Sequence, residues 1–266
     1  MQIIASAHAG DRPNYPKVRF GDFDILCASR SNLVELALYD CANVSSPAQL
    51  VFDANGHALS LARTDAEFAK TIPFANIVHA DGGFLVTLSK HLRLDPIPER
   101  SATTDMLHDF ALAFQDTRHS FFLLGSDEHV STRCVEILKD RYPRLDIAGR
   151  RNGFFSPEEE ETLVDEINAS GAAILWVGLG KPKEQQFCVR WQHKLKARWI
   201  ITCGGCYNYV TGDYPRAPRW MQYTNIEWLH RLATRPKSLF LRYLKTTPHA
   251  LWIALTDHSM HTTRRQ

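Results

Sequence analysis

The sequence predicts an α/β protein with a parallel sheet flanked by helices and a basic helical appendage at the C-terminus. Short apolar runs alternate with amphipathic helical patterns over the first 215 residues, and glycine or acidic residues follow most of the runs. Such alternation is typical of βαβ crossover units in a Rossmann-like sheet. The 266 residues are 44% hydrophobic and 23% charged, with a net charge of +2. This composition excludes disordered, collagen-like and coiled-coil classes.

Five apolar runs are the predicted strands, at residues 49–52, 77–80, 121–124, 173–177 and 199–203. Helical spacing predicts helices at residues 57–68, 130–142, 156–168 and 182–195. Ser156 and Glu159 have the spacing of a capping box at the start of the third helix. Thr224 and Glu227 repeat that spacing and predict the start of an all-helical tail. We therefore expect an α/β domain over residues 1–215 and a tail over residues 216–266.

Ligands of such sheets bind beyond the carboxyl ends of the strands. The candidate residues at these positions are Asp53, Asn55, Asp81, Gly125, Gly178, Gly180, Lys183, Gly204 and Gly205. The segment 178–183 combines two glycines, a following helix N-terminus and two lysines, which are the parts of a phosphate cradle. It has neither the Walker spacing nor the full Gly-x-Gly-x-x-Gly pattern, so a steric role of its glycines is the commoner explanation.

Asp81 follows an apolar run and precedes two glycines. A carboxylate at this edge is suited to act as a general base on a hydroxyl group. The alternative is an N-cap of the next helix, which is the commoner role of an aspartate before a helical run. Asp53 and Asn55 are open to the same two interpretations.

Metal and redox chemistry have weak signals in the sequence. Asp22 and Asp24 form the only Asp-x-Asp, which we interpret as a solvated turn because no nearby residue completes a metal shell. Cys203 and Cys206 have ligand spacing, but no second Cys or His pair matches them. We expect reduced thiols, no metal site and no cofactor.

The tail differs in charge from the rest of the chain. Residues 216–266 contain nine Lys and Arg against two acidic residues, a balance of +7, so residues 1–215 have a balance of −5. Basic residues among tryptophans and tyrosines suit an anionic membrane surface, whereas a solvated helix face is the equally open alternative. The candidate membrane residues are Arg235, Lys237, Arg242 and Lys245. Nucleic acid is not expected, because no recognition motif is present. No apolar run reaches the length of a membrane span and no export signal is evident, so we expect a cytoplasmic location.

Several motifs occur in a fixed order and spacing. In the second half they are VGLGKPK (177–183), CGGCYNYVTG (203–212), RAP (216–218), EWLHRL (227–232), RP (235–236) and LRYL (241–244). In the first half they are NGH (55–57), ADG (80–82), ER (99–100), LG (124–125) and GFF (153–155). Together they resemble the signature of the WecG/TagA/CpsF glycosyltransferases over about residues 20–250.

The resemblance implies transfer of a sugar from a UDP-sugar to a polyprenyl diphosphate-linked saccharide at the inner face of the bacterial cytoplasmic membrane, by inversion and without metal. It implies that Asp81 is the base, with Asn55 and Arg100 in the same pocket. The glycine loops are expected to hold uridine diphosphate, and the tail to dock at the membrane and cover the active site. Arg100, Arg216 and Arg231 are expected to offset the diphosphate charge.

The chain departs from the family pattern in three places, which comprise four positions. Asp53 stands where the family has threonine, Glu184 and Gln185 reverse the usual Gln-Glu order, and Thr103 replaces a glycine. The resemblance implies that Asp53, Glu184 and Gln185 bind substrate. A second carboxylate at Asp53 is expected to raise a carboxyl pKa or to rearrange sugar contacts. The donor, whether a hexose, an N-acetylhexosamine or its uronate, is therefore left open. A nucleotide-binding peripheral membrane protein without turnover and a dinucleotide-dependent enzyme are the alternative functions.

Overall fold

The computed structural model describes residues 11–43, 47–92, 94–224, 226–234 and 236–261, without the side chains of residues 237, 238, 260 and 261. The strands are β1 (Lys17–Phe20), β2 (Phe23–Leu26), β3 (Gln49–Ala54), β4 (Ile77–Ala80), β5 (Phe121–Gly125), β6 (Ile147–Arg151), β7 (Ile174–Gly178), β8 (Trp199–Thr202) and β9 (His258–His261). The helices are α1 (Arg30–Ala42), α2 (Gly56–Thr64), α3 (Ala66–Ala69), α4 (Gly83–His91), α5 (Thr103–Phe114), α6 (Glu128–Arg141), α7 (Glu160–Ala169), α8 (Lys183–Trp191), α9 (Cys206–Thr211), α10 (Arg219–Tyr223), α11 (Glu227–Thr234) and α12 (Pro236–Thr256). Short 3₁₀ turns lie at Ile72–Phe74 and Pro157–Glu159.

The larger sheet has six parallel strands in the order β4-β3-β8-β7-β5-β6. Strands β3, β4, β5, β7 and β8 are buried at every residue. Complete burial is expected for parallel strands, because crossover helices cover both faces of the sheet. The predicted α/β fold is therefore confirmed. Sequence analysis missed β6, a half-exposed edge strand whose residues lack a continuous apolar run.

A second, antiparallel sheet has the order β2-β1-β9. Strand β9 pairs with β1 from Lys17 opposite His261 to Phe20 opposite His258. The predicted all-helical tail is therefore wrong at its C-terminal end. The four residues of β9 lack apolar alternation, so its extended conformation depends on pairing with a distant strand and has no local signal.

The chain divides into two compact units. Unit 1 comprises the described residues up to Asn14 with Arg30–Phe52 and Thr103–Asp213, and unit 2 comprises Tyr15–Ser29, Asp53–Ala102 and Tyr214–Gln266 as far as they are described. In this division the helices of the tail belong to the same unit as two earlier segments. The boundary at residue 215 that composition suggests stays a prediction.

An aromatic cluster forms the centre of unit 1. Phe110 contacts Trp176 edge-on, with ring centroids 5.5 Å apart, and stacks on Phe114 at 5.8 Å. Trp199 and Phe121 complete the cluster, and all five side chains are fully buried. Large aromatic side chains bury much apolar surface and fix their neighbours by ring geometry. The cluster therefore holds β5, β7 and β8, whose carboxyl ends lead into the glycine loops.

Unit 2 has its own core, to which α12 contributes. Val18 and Phe20 of β1 lie in the same buried cluster as Leu85 of α4 and as Ala250 and Ile253 of α12. The inner face of α12 is therefore part of this core. This packing places α12 beside the carboxyl end of β4, since Ala80 belongs to the same cluster.

Among the predicted helices and helix starts, one capping box is confirmed, one helix is divided and one capping box is wrong. The capping box of Ser156 and Glu159 is present, with the Ser156 N–H donating to the Glu159 carboxylate at 2.8 Å. The predicted helix over residues 57–68 is divided at Asp65, which caps α3. The second predicted capping box is wrong, because the Thr224 hydroxyl donates to carbonyls of the preceding helix and Glu227 begins α11.

Candidate active site

A pocket in unit 2 lies where the end of β4 and the start of α2 face α11 and α12. Its charged and amide lining consists of Asn55, Asp81, Arg100, Glu227, Arg231 and Arg242. Sequence analysis gave a functional role to all of these except Glu227, for which it predicted a capping box. Concave sites with a few convergent polar groups are the usual places for ligand binding.

Backbone contacts fix Asp81 at the end of β4. The N–H groups of Asp81 and Gly82 both donate to the Ala54 carbonyl at 2.9 Å. A Cβ on Gly82 would lie 3.0 Å from the Asn55 Cα and 3.1 Å from the Phe84 ring, so glycine is required for this close approach. Gly82, and not Asp81, is the N-cap of α4. The helix-cap interpretation of Asp81 is therefore wrong, and its carboxylate faces the pocket.

Asn55 joins two carboxylates. Its Oδ1 accepts from the Ala58 N–H at 3.0 Å and thereby caps α2. Its Nδ2 donates to Asp53 Oδ2 at 2.8 Å and to Asp81 Oδ2 at 3.2 Å. The helix-cap interpretation of Asn55 is therefore confirmed, and the capping bond orients the amide that holds Asp81. Asp53 itself is buried and reaches Asp81 through this amide.

Arg100 uses all three of its guanidinium nitrogens. Its Nε donates to the Asp81 carbonyl at 2.7 Å, and its Nη2 lies 3.3 Å from Asp81 Oδ1. Its Nη1 donates to Glu227 Oε2 at 2.6 Å. The planar guanidinium is therefore held at a fixed orientation beside the Asp81 carboxylate.

Glu227 has a place in the pocket that sequence analysis did not predict. Its Oε1 accepts from Arg231 Nε at 3.0 Å and from Arg231 Nη2 at 2.8 Å, and its Oε2 accepts from Arg100. The i,i+4 spacing of Glu227 and Arg231 is a local signal for their pairing on a helix. The pairing with Arg100 has no such signal. Tyr243, Thr246 and Thr247 of α12 also line the pocket without having been predicted.

The electrostatics of the pocket lower the pKa of Asp81. Burial favours the neutral acid, but the charges of Arg100, Arg231 and His79 and the hydrogen bond from Asn55 outweigh it, so the pKa lies well below its ordinary value. The pKa of Glu227 is lowered as well, since Arg231 and Arg100 outweigh its burial. The expected increase of a carboxyl pKa through Asp53 is therefore wrong for Asp81. Its carboxylate is ionised at neutral pH.

The glycine loops lie in unit 1, after β5, β7 and β8. Gly125 has φ +134°, and a Cβ there would lie 2.3 Å from the Gly178 carbonyl oxygen. No side chain fits between these two loops, and the Ser126 N–H donates to the Gly178 oxygen at 3.2 Å. Steric requirement is thus one reason for glycine at position 125.

Glu184 crosslinks two of the loops. Its buried Oε2 accepts from the N–H groups of Gly180 and Gly204, both at 3.0 Å. Its Oε1 lies 3.2 Å from Gln185 Nε2 and 3.8 Å from Lys181 Nζ. These two backbone donors therefore already have an acceptor inside the protein.

The predicted substrate-binding role of Glu184 and Gln185 stays a prediction, although both side chains are fully buried. The nucleotide-binding role of Gly125, Gly178, Gly180, Lys183, Gly204 and Gly205 also stays a prediction. Of these, Lys183 and Gly205 are exposed.

The basic residues of the tail have different surroundings. Arg231 and Arg242 line the pocket, and the Arg242 guanidinium lies 5.4 Å from the centre of the Tyr243 ring. Arg216 donates to Gln222 at 2.9 Å and is not part of the pocket lining. Lys245 is exposed on α12. Arg235 lies outside the described residues, as does the side chain of Lys237.

The Asp-x-Asp pair and the cysteines are the residues that the sequence offers for metal or redox chemistry. Asp22 lies in the turn between β1 and β2 and forms an ion pair with Arg63 at 3.1 Å. Within the described ranges, no three His, Cys, Asp or Glu side chains are grouped as a metal site. All six cysteines are free and buried, which confirms the expectation of reduced thiols. Burial raises the pKa of Cys203 well above its ordinary value, which disfavours the reactive thiolate.

One comparison with known proteins covers nearly the whole chain. The model of the Glycosyl transferase WecG/TagA/CpsF family matches residues 18–264. The match includes Asp81, Arg100 and the tail residues that line the pocket.

Proposed function

The chain belongs to the WecG/TagA/CpsF family of glycosyltransferases, and from this premise we propose that it transfers a hexose, an N-acetylhexosamine or its uronate from a UDP-sugar to a polyprenyl diphosphate-linked saccharide. The proposed reaction inverts the anomeric carbon, needs no metal and serves bacterial polysaccharide synthesis. The observation that supports it most is the ionised Asp81 carboxylate, held between Asn55 and Arg100 in a pocket with further arginines.

Asp81 is the proposed general base. The acceptor hydroxyl oxygen forms a bond to the anomeric carbon, the bond from that carbon to the diphosphate oxygen breaks, and the hydroxyl proton passes to Asp81. The pairing with Arg100 keeps the carboxylate ionised but makes it a weak base. A diphosphate bound near Arg100 and Arg231 adds negative charge, which raises the pKa of Asp81 and strengthens the base when substrate is present.

The pocket arginines are the proposed partners of the departing diphosphate. Arg100, Arg231 and Arg242 line the pocket from two parts of unit 2. Guanidinium groups bind phosphate oxygens through paired hydrogen bonds. Fixed positive charge at the leaving group stabilises the transition state without a metal ion.

The tail helices support a membrane-proximal acceptor. Several large apolar side chains on the outer face of α12 are exposed: Phe240, Leu241, Leu244, Leu251, Trp252 and Leu255. Leu241, Leu244, Leu251 and Leu255 have the i,i+3/i+4 spacing of one helix face. With Lys245 beside them, they resemble the membrane-facing side of an interfacial helix. In the described part of the chain, no helix has the length and apolarity of a membrane span.

A UDP-release assay tests the proposed function. It combines a panel of UDP-sugars with a short-chain polyprenyl diphosphate saccharide, in chelator and then with divalent metal. We expect acceptor-dependent UDP release from one donor in chelator. Release that requires metal contradicts the metal-free reaction. If no UDP-sugar of the panel releases UDP although the protein binds UDP, the result favours a binding protein without turnover.

A further inference from the structure

A single carboxylate from the tail holds two arginines of the pocket. The Glu227 side chain is 3% exposed, and both of its oxygens accept hydrogen bonds. Arg100 comes from the segment after α4, whereas Arg231 lies one turn further along α11 than Glu227. An exposed pair of this spacing is worth little, but a buried carboxylate shared by two guanidinium groups fixes the orientation of both.

The charges of this cluster are balanced. Asp81 and Glu227 supply two negative charges, and Arg100 and Arg231 supply two positive charges. Both arginines act electrostatically on both carboxylates. Other titratable or charged groups around Asp81 are His79 on β4, Asp53 through Asn55, and His57 and Arg242 in the pocket lining. Removal of the Glu227 charge leaves two arginines to share the remaining carboxylates.

We propose that Glu227 is a positioning residue of the transfer site, which holds Arg100 and Arg231 in place and limits their pairing with Asp81. This inference rests on the proposed function. Without the Glu227 carboxylate, the Arg100 Nη1 and the Arg231 guanidinium are able to turn toward Asp81. A more strongly paired Asp81 is a weaker base, and misplaced arginines meet the leaving diphosphate less well. The loss is expected in turnover more than in donor binding.

Kinetics of Glu227→Gln and Glu227→Asp test the proposal against wild type. We expect kcat of Glu227→Gln to fall on the order of 100-fold, because misplacement of about 1 Å has this effect. The donor KM is expected to stay within about threefold, as for a group that acts mainly in the transition state. Glu227→Asp retains a carboxylate and is expected to recover part of kcat. Unchanged kcat, or a loss confined to KM, overturns the proposal.

Glu160→Gln is the matched control. The Glu160 side chain belongs to unit 1, is 12% exposed, accepts from Arg190 and from the Trp191 indole, and is not among the residues that line the pocket. Its loss removes an ion pair in which the carboxylate is largely buried and the guanidinium is half exposed. We expect its kcat to equal that of wild type. An equal loss in both variants would attribute the effect to general destabilisation and overturn the positioning role.

Arginine Nε–H resonances in NMR spectra give a readout that needs no turnover. The Arg231 Nε–H donates to Glu227, whereas the Arg100 Nε–H donates to the Asp81 carbonyl. Arg231→Lys and Arg100→Lys assign the two signals. In Glu227→Gln we expect the Arg231 signal to be lost and the Arg100 signal to persist. If wild type transfers no sugar, the proposed function fails, but an unchanged Arg231 signal still separately overturns the positioning role.

Discussion

Two carboxylates, a buried one in unit 1 and a partly buried one in unit 2, are held by different kinds of donors. Glu184 of unit 1 accepts from the backbone N–H groups of Gly180 and Gly204. Asp81 of unit 2 accepts from the side chains of Asn55 and Arg100. Backbone donors cannot leave without moving their loops, whereas a guanidinium is able to exchange a carboxylate for a phosphate. The backbone bonds of Glu184 connect two loops, whereas the side-chain bonds of Asp81 are compatible with its proposed role as the base.

The largest expected effect is that of Asp81→Asn on turnover. The amide cannot accept the hydroxyl proton, so kcat is expected to fall by about 10²–10⁴-fold. UDP affinity, measured by calorimetry, is expected to change little. Asp22→Asn, in the turn after β1, is the control and should keep wild-type kcat. Wild-type turnover in Asp81→Asn would contradict the proposal that Asp81 is the base. The contrast between Asp81 and Glu184 would then have no catalytic meaning.

Glu184→Ala tests whether the Glu184 carboxylate stabilises the glycine loops. It leaves two N–H groups without their acceptor, and each unsatisfied buried group costs roughly 1–3 kcal/mol. We therefore expect the free energy of unfolding in urea to fall by about 2 kcal/mol or more. Glu184→Gln keeps one acceptor oxygen and should recover part of the loss. Glu161→Ala, at an exposed pair with Lys194, is the control. Equal stability of Glu184→Ala and wild type would show that the loops do not depend on this carboxylate.

The pH dependence of the free energy of unfolding tests whether Glu227 is ion-paired in the folded protein. The pKa values of Asp81 and Glu227 are lowered from ordinary values of 3.8 and 4.5, so each contributes stability that is present above those values and lost as pH falls toward the folded-state pKa. Glu227→Gln should therefore be less stable than wild type at pH 7 and should lose less on acidification. Urea unfolding at about pH 7, 5 and 3 measures this difference. An identical pH dependence in both proteins would contradict the ion-paired state of Glu227.

The smallest expected effect is that of Lys245→Ala on membrane binding. One basic residue near an anionic surface contributes about 1 kcal/mol, or roughly fivefold in the partition constant. Co-sedimentation with anionic vesicles should weaken by this factor, and wild-type binding should fall with rising salt. Lys183→Ala, which removes an exposed lysine of unit 1, is expected to bind like wild type. Equal weakening in both variants would indicate that vesicle binding depends on the net charge of the protein and not on a docking face of α12.

Local patterns were enough to predict the parallel sheet and the position of Asp81. Apolar runs mark buried strands, and the residue after a parallel strand lies at the ligand-binding edge, so Asp81 and Asn55 were found from their neighbours alone. The capping box of Ser156 was likewise local. The family motifs added Arg100 and Arg231 to the same site, and the pocket brings these residues together.

Tertiary structure decided which partners the charged side chains have. Glu227 meets Arg100 across 127 positions of the chain, and Glu184 meets Gly204 across 20. Spacing along one helix or strand contains no information about such pairs, because they form only when separate elements pack together. The same reason explains why β9 was missed. The sequence by itself thus determined the sheet, the position of Asp81 at its edge and the family, whereas packing alone determined how Asp81 and the glycine loops are held.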